Sequence, residues 1–421
     1  MNKIAVLFAT GLLAFSSCDN DDMVEIPTEN FTLTIENVFE PKSFFMAGAT
    51  GGIGPGTNYS FKFNAGKGHY LSLSTMLAQT NDLFYGFPDA GLALYNDNGN
   101  PVTGDVTDMI YLWDAGTEVN EEPGSGPSQA PRQTGANTGT AENSTVKLIS
   151  DVNDGFVYPA VSAIINVMIA HDGNTEFTVT ISNKSDMASL TSPLAPGVWV
   201  VHSNDIQLFT TGQAASADLE KLAEDGDNVD MADFLLMNSG IVSPFAPGVF
   251  AIHNDMNPIF KKQVMSTMAL EALAEDGDPS GFDLDSDPTV AEWGIFLMPV
   301  SGNGAAPIFP GEKYEVSFKA SPGDMLSFAT MLVQSNDIFV APEGIALFNN
   351  QQPIGGDITN QLKIWDAKTE VNEFPGAGKN QAPRQTGADT GVDETGTVEE
   401  VNDGFTYPAI ADIIRVSISN N

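Results

Sequence analysis

The chain has very little cysteine, histidine or positive charge. One cysteine, Cys18, among 421 residues excludes a disulfide scaffold and any metal site built on thiolates. Four histidines are too few for a His-rich catalytic zinc centre. Against 55 Asp and Glu there are only 17 Lys and Arg, a formal charge of −38. Such a surface repels phosphate backbones, so nucleic acid is excluded as a partner, and bare anionic lipid is disfavoured for the same reason. No Gly-x-Ser-x-Gly elbow, His-Glu-x-x-His pair, P-loop or dinucleotide fingerprint occurs. The expectation is therefore a protein that is not an enzyme. A carboxylate-based hydrolase stays open as an alternative, because glycoside hydrolysis needs only two acids at a set separation.

The one extended apolar run, Ile4 to Phe15, is shorter than the ~20 residues a membrane-crossing helix needs. It follows Lys3 and leads into Ser16-Ser17-Cys18, so residues 1–17 read as a signal peptide. The sole cysteine stands where a bacterial lipoprotein's acylated cysteine stands, although Phe15 replaces the usual leucine. Cys18 is thus the expected lipidation site, anchoring the chain to a membrane by acyl chains. Asp19-Asn20-Asp21-Asp22 resembles an export tag of Gram-negative surface lipoproteins. Residues 18–30 read as an acidic tether, and the expected location is the outer membrane, exposed at the cell surface.

Internal repetition fixes the organisation. Trp113-Asp114-Ala115 with Thr117-Glu118-Val119-Asn120-Glu121 returns as Trp365-Asp366-Ala367 with Thr369-Glu370-Val371-Asn372-Glu373, about 250 residues downstream. Gln129-Ala130-Pro131-Arg132 returns as Gln381-Ala382-Pro383-Arg384, and Asn81-Asp82 as Asn336-Asp337. A smaller unit is also doubled. Ser192-Pro193 through His202 matches Ser243-Pro244 through His253, and Leu222-Ala223-Glu224-Asp225-Gly226 matches Leu273-Ala274-Glu275-Asp276-Gly277. Each such unit reads as a Pro-rich extended segment and a short helix, with Gly226 or Gly277 as its C-cap.

Elsewhere the pattern is that of strands. Phe31-Thr32-Leu33-Thr34-Ile35 and Phe177-Thr178-Val179-Thr180-Ile181 alternate strictly, and each is placed at the opening of a copy. Short strands among 40 Gly and 25 Pro imply an all-β chain of two antiparallel β-sandwich domains in tandem. The expected boundaries are 31–172 and 173–421. Short helices belong to the second domain, which would carry both Pro-rich helical units, 192–230 and 243–281. Two units for two domains leave open whether one packs on the first sandwich. The loops 119–145 and 371–397 exceed ordinary loop lengths, which suggests function or ordering by a metal.

These motifs resemble the spondin N-terminal domain of F-spondin, mindin and bacterial secreted proteins. The second copy is the fuller match: Ser-Pro-x-Ala-Pro-Gly-Val from Ser243, the helix ending Leu273 to Asp278, Pro322-Gly323-Asp324, Asn336-Asp337 and Trp365-Asp366-Ala367 with Thr369-Glu370. The first copy lacks the Pro-rich and helical unit, and its doubling in the second departs from the family pattern. The resemblance implies a C2-like sandwich with Ca²⁺ held in loops at one end, acting in adhesion or recognition.

Hard oxygen donors from several loops suit Ca²⁺, which takes ~6–8 of them. The expected metal ligands are Asp82, Asp114 and Glu118 in one copy and Asp337, Asp366 and Glu370 in the other. Asn81 and Asn336 are lesser candidates. His202 and His253 read as half-buried and bonded to backbone, with a pH-sensitive or ligating role as the alternative. Arg132 and Arg384 are expected to pin the long loops through carboxylate pairs. Trp113 and Trp365 belong to the core. Asp283, Asp285 and Asp287 open like an EF-hand loop, but Pro288 stands where that loop needs glycine. The function expected is calcium-dependent adhesion or recognition of an extracellular protein or glycan. Capture of a carbohydrate or polymer is the alternative, with Phe84, Tyr85 and Phe339 stacking on sugars.

Overall fold

The computed structural model describes residues 28–203 and 207–420. The expected signal peptide, Cys18 and the expected tether as far as residue 27 lie outside them. Antiparallel β-sheet is the main regular structure of the described chain, and none of its helices is long and apolar enough to cross a membrane.

In chain order the strands used below begin with β1 (Glu29–Asn37), which takes up the last two residues of the expected tether. They continue as β2 (Met46–Ala49), β3 (Asn58–Asn64), β4 (Tyr70–Met76), β5 (Leu83–Gly86), β6 (Tyr111–Asp114) and β7 (Lys147–Leu148). Next come β8 (Ile165–Gly173), β9 (Glu176–Asn183) and β10 (Val198–His202), then the helices α1 (Ala217–Asp225) and α2 (Val229–Met237). The chain continues through β11 (Phe245–His253), α3 (Met268–Asp276), β12 (Val290–Phe296), β13 (Lys313–Ala320), β14 (Met325–Leu332) and β15 (Ile338–Pro342). It ends with β16 (Leu362–Asp366), β17 (Glu399–Glu400) and β18 (Ile414–Asn420).

These strands sort into two sheet pairs. In the first, the sheet β3-β9-β8 faces the sheet β2-β10-β4-β5-β6-β7, and Phe61, Phe63, Leu73, Val179 and Trp199 fill the space between. In the second, β13-β1-β18 faces β12-β11-β14-β15-β16-β17 around Phe31, Leu33, Phe250, Phe328 and Ile418. Stacked rings thicken both cores, Phe61 on Trp199 at 4.9 Å and Phe31 on Phe318 at 5.6 Å. The alternation of Phe31, Leu33 and Ile35 with Thr32 and Thr34 turns one face inward, as period two requires.

The pairing corrects the expected boundary at residue 172. β9, read as opening the second copy, pairs with β8 and β3 of the first sheet pair. β1, read as opening the first copy, pairs with β13 and β18 of the second. The cause is local for β9: a two-residue turn at Asn174-Thr175, with Asn174 at φ 50°, folds it straight back on β8. The connection from β1 runs instead into the whole first sheet pair, whose ends close on each other. Phe44 bridges Ser239, and the Gly240 amide donates to the Phe44 carbonyl at 3.1 Å.

The helical units divide in the same way. Leu219, Leu222 and Ala223 of α1 pack with Phe84, Trp113 and Val198 on the outer face of the first pair. Leu270, Leu273 and Ala274 of α3 pack with Phe339, Trp365 and Val249 on the second. The unit at 192–230 therefore belongs with the first sheet pair. Ser216 and Thr267 cap the two helices, each accepting a backbone N–H at 3.2 Å, and Gly226 and Gly277 end them in the left-handed region.

The two pairs meet where the loop after β16 rests on the first pair. Phe374 lies edge-on to Phe45 at 6.0 Å, and Phe45 packs on the His69 ring at 4.5 Å. A side chain at Gly66 would strike the Ala377 carbonyl, 2.2 Å from its Cβ position. Burial here, with Arg384 nearby, pushes His69 down to about 4.

Candidate functional site

The repeated acids stand where strands end. Asp82 precedes β5 and Asp114 closes β6; Leu83 pairs with Asp114, so the two aspartates are neighbours across adjacent strands. Asp337 and Asp366 are related in the same way through Ile338. All four are fully buried.

One oxygen of each leading aspartate is heavily bonded and the other is not. Asp82 Oδ2 accepts from the Thr117 amide at 2.8 Å, the Thr117 hydroxyl at 3.2 Å and the Glu118 amide at 3.1 Å. Asp337 Oδ2 repeats this with Thr369 at 2.7 and 3.2 Å and the Glu370 amide at 3.1 Å. Asp82 Oδ1 and Asp337 Oδ1 are buried with no hydrogen-bond partner. An unpaired buried carboxylate oxygen favours a proton or a cation. Burial, reinforced by Asp114 and Asp366, lifts both carboxyls to about 7.

Their partners differ in one respect. Asp114 accepts from the Gly116 amide at 2.7 Å and from Asn120 at 2.9 Å, and Asp366 from the Lys368 amide at 2.8 Å and Asn372 at 2.9 Å. Lys368 also brings its ammonium to 3.2 Å from Asp366, with Glu399 at 3.3 Å. In the first copy glycine occupies that turn position, and Lys147, cross-strand partner of Asp114, is the nearby cation. Each aspartate pair thus has one ammonium, supplied from different strands.

The Glu118 and Glu370 carboxylates are held by a different set of partners. Glu118 accepts from the Gly139 amide at 2.6 Å and from Asn81 at 3.2 Å; Glu370 accepts from the Gly391 amide at 2.7 Å and from Asn336 at 3.1 Å. The carboxylates lie so close over Gly139 and Gly391 that a Cβ there would sit within about 2 Å of them. Asn81 and Asn336 act as braces. The Asn81 carbonyl accepts from the Glu121 amide at 3.0 Å and from Gln129 at 3.1 Å, which ties the start of the long loop to the strand end.

The long loop and the helix end complete a second group. Ligand oxygens of Glu275, Glu370 and Asp389 all lie within 4.8 Å of one another, the only such group of three among the described residues. The acids expected to share one centre therefore divide: Asp337 pairs with Asp366, while Glu370 joins Glu275 and Asp389. The first copy places Glu224 and Glu118 equivalently, but Asn137 stands where Asp389 does, both in the left-handed region at φ 50° and 52°.

Glu224 and Glu275 escaped the sequence reading, which took their motif as a helix exit. Each is 3% exposed and occupies the last turn of its helix, where the backbone dipole disfavours a negative charge. Burial raises Glu224 to about 7 and Glu275 to about 8, with neighbouring acids adding. The repeated signal was an acid kept at a helix C-terminus against that dipole.

The remaining candidates are structural. His202 and His253 are fully buried rather than half-buried. Each offers Nδ1 to a backbone carbonyl, of Ser203 and of Asp255 respectively, which leaves Nε2 to accept from the Ser72 or Ser327 hydroxyl at 2.8 Å. Neither is hydrogen-bonded to a carboxylate. Arg132 and Arg384 hold the long loops, but through neutral oxygens and not carboxylates. Arg132 donates to the Gly126 carbonyl at 2.8 Å and to Gln129 at 3.0 Å; Arg384 donates to the Gly378 carbonyl at 2.7 Å and to Gln334 at 2.7 Å. Phe84, Tyr85 and Phe339 are fully buried, so none is free to stack on a sugar. Asp285 and Asp287 are engaged with Trp293 and Thr289.

No protein-family model matches this chain, and no curated protein matches it.

Proposed function

We propose that this protein is a calcium-binding recognition module of the cell surface, non-catalytic, built as two spondin-like sandwiches and tethered by a lipid on Cys18. The observation that carries the reading is the group Glu275, Glu370 and Asp389, three carboxylates from a helix end and one long loop with their oxygens within 4.8 Å. All three are hard oxygen donors, the chemistry Ca²⁺ selects. The hydroxyl of Thr390, next to Asp389 in the chain, is buried without a hydrogen-bond partner. Bound there, Ca²⁺ would supply positive charge to two buried carboxyls and fix the loop from residue 371 to residue 391. Its own residues do the rest: Asn336 and the Gly391 amide orient Glu370, and α3 delivers Glu275. An ordered acidic loop presenting a partly unsaturated cation is a means of holding an extracellular protein or a glycan carboxylate.

Calorimetric titration with Ca²⁺ tests this. One tight site per chain is expected, lost in Glu370→Gln and Asp389→Asn and kept in Asp114→Asn. A site lost instead in Asp114→Asn would move the centre to the aspartate pairs and sink the assignment. The anchor has its own test. Metabolic labelling with an alkyne fatty acid should mark the full chain and leave Cys18→Ser unlabelled; equal labelling of both removes the lipid.

A further inference from the structure

β1 is a strand whose place in the fold is fixed by contacts and hardly at all by connectivity. It lies between β13 and β18, paired along Glu29–Glu36 with one and Phe31–Asn37 with the other. Phe31, Leu33 and Ile35 are at most 1% exposed, in the centre of the second core. Its last residue makes the same bonds as the last residue of its twin β9. Asn37 donates to the Ser243 and Ile308 carbonyls at 2.9 and 3.0 Å; Asn183 donates to those of Ser192 and Ile53 at 2.9 and 2.8 Å. The Asn183–Ser192 contact spans 9 residues, whereas Asn37–Ser243 spans 206.

That difference has a physical consequence. β9 is held at both ends, by the turn at Asn174-Thr175 and by the short return from Asn183 to Ser192. β1 joins the described fold only through residues 38–43. Of these, Phe39 is buried on Phe245 and the Lys42 ammonium donates to the Met237 carbonyl at 3.0 Å, so the exposed residues of the connector are Glu40, Pro41 and Ser43. Beyond it, the first sheet pair is closed on itself at Phe44 and Ser239.

We propose that β1 is an exchangeable strand: a second copy of this chain inserts its own β1 between β13 and β18, linking molecules through the second sheet pair. The partner strand makes every hydrogen bond and apolar contact that the resident one makes, so exchange costs no contact energy, only the ordering of two molecules. An empty slot would expose Phe318, Ile418 and two unpaired strand edges, which must be filled from one copy or another. The occupant is specified by pattern, since Phe, Leu and Ile must alternate inward over seven residues in register.

Crosslinking between copies tests this. The Thr32 and Ser317 side-chain oxygens are 3.3 Å apart across β1 and β13. Two differently tagged chains, both Cys18→Ser, carry Thr32→Cys and Ser317→Cys separately and are co-expressed. A covalent heterodimer bearing both tags is expected. The twin positions Ser60 and Thr180, 2.7 Å apart in the first pair, serve as the comparison. Chains carrying Ser60→Cys and Thr180→Cys separately should give several-fold less heterodimer, because β9 is tied at both ends. Equal yields from the two pairs would overturn the proposal. So would a Thr32→Cys/Ser317→Cys double variant that closes its own bridge while the separate variants never join. Failure of the double variant to close would remove the register on which exchange depends.

Discussion

Stripped of divalent cations, the protein should lose thermal stability as the pH rises from 6.5 to 8.5, with Tm falling by at least about 5 °C. Asp82, Asp337 and Glu224 sit at about 7 and Glu275 at about 8, whereas free carboxyls titrate near ~4. The folded chain therefore binds more protons than the unfolded one in the interval between those values. Stability is full below the unfolded value and is lost as pH climbs through 7 and 8. The buried histidines act in the opposite sense. Burial holds His69 near 4 and lowers His202 and His253, so their contribution is present above ~6.5 and fades as the medium becomes more acidic. Above pH 6.5 only the carboxyls remain to set the slope. Saturating Ca²⁺ should reduce the slope without abolishing it, because a cation replaces the protons at Glu275 and Glu370 but not at Asp82, Asp337 or Glu224, and a ligand at 100-fold its Kd adds about 2.7 kcal/mol. Differential scanning calorimetry at the two pH values, with chelator and with Ca²⁺, reads all four conditions. A Tm that rises with pH in chelator would show that these carboxyls are already paired with something other than a proton.

Much of this fold was legible in the sequence, and what was not has a definite cause. Period-two alternation placed Tyr59–Phe63 and Ile164–Ile169 on strands, because a half-buried strand must alternate, although Ile164 itself closes a helical turn; Tyr70–Met76 is a strand buried on both faces. Gly226 and Gly277 marked the helix ends because left-handed exits are local chemistry, whereas the N-caps Ser216 and Thr267 were not read from the sequence. Partner choice is not local. Phe31–Ile35 and Phe177–Ile181 carry the same pattern, and nothing within either strand says which sheet will accept it. Only the two-residue turn before β9 and the closed ends at Phe44 and Ser239 decide that.

The acids show the same division between local and tertiary information. Asp82, Asp114, Glu118 and their counterparts were visible as repeats, and the structure buries all of them. Their grouping was not visible. Which carboxylates share a centre depends on α3 lying over β14 and β15 and on the long loop returning to Gly391. Phe84 and Phe339 were read as loop aromatics, yet both lie on strands. In the sheet they face the helix that the sequence had assigned elsewhere or left unplaced.

Asn137→Asp should add a second cation site to the protein, raising the Ca²⁺ stoichiometry from one to two per chain. The first sheet pair already has Glu118 held by Asn81 and Gly139, with Glu224 at the end of α1, as Glu370 and Glu275 are held in the second. Asn137 occupies the left-handed position of Asp389, and aspartate tolerates that conformation as asparagine does. Its amide is already fixed by Asp225 at 3.3 Å, so the substituted side chain starts from the same backbone. What the first copy lacks is the third negative charge, and charge count is a main determinant of Ca²⁺ affinity. Before metal is added, the new carboxylate faces two buried acids and lowers stability, most at alkaline pH. With metal it should regain that loss and more. Titration of Asn137→Asp beside wild type reads the stoichiometry, and Asn137→Asp with Glu118→Gln should return it to one. If the single variant still binds one ion, the third acid is not what separates the two tips. The distinction would then rest with the ammonium groups, Lys368 placed directly on Asp366 and Lys147 reaching Asp114 from the next strand.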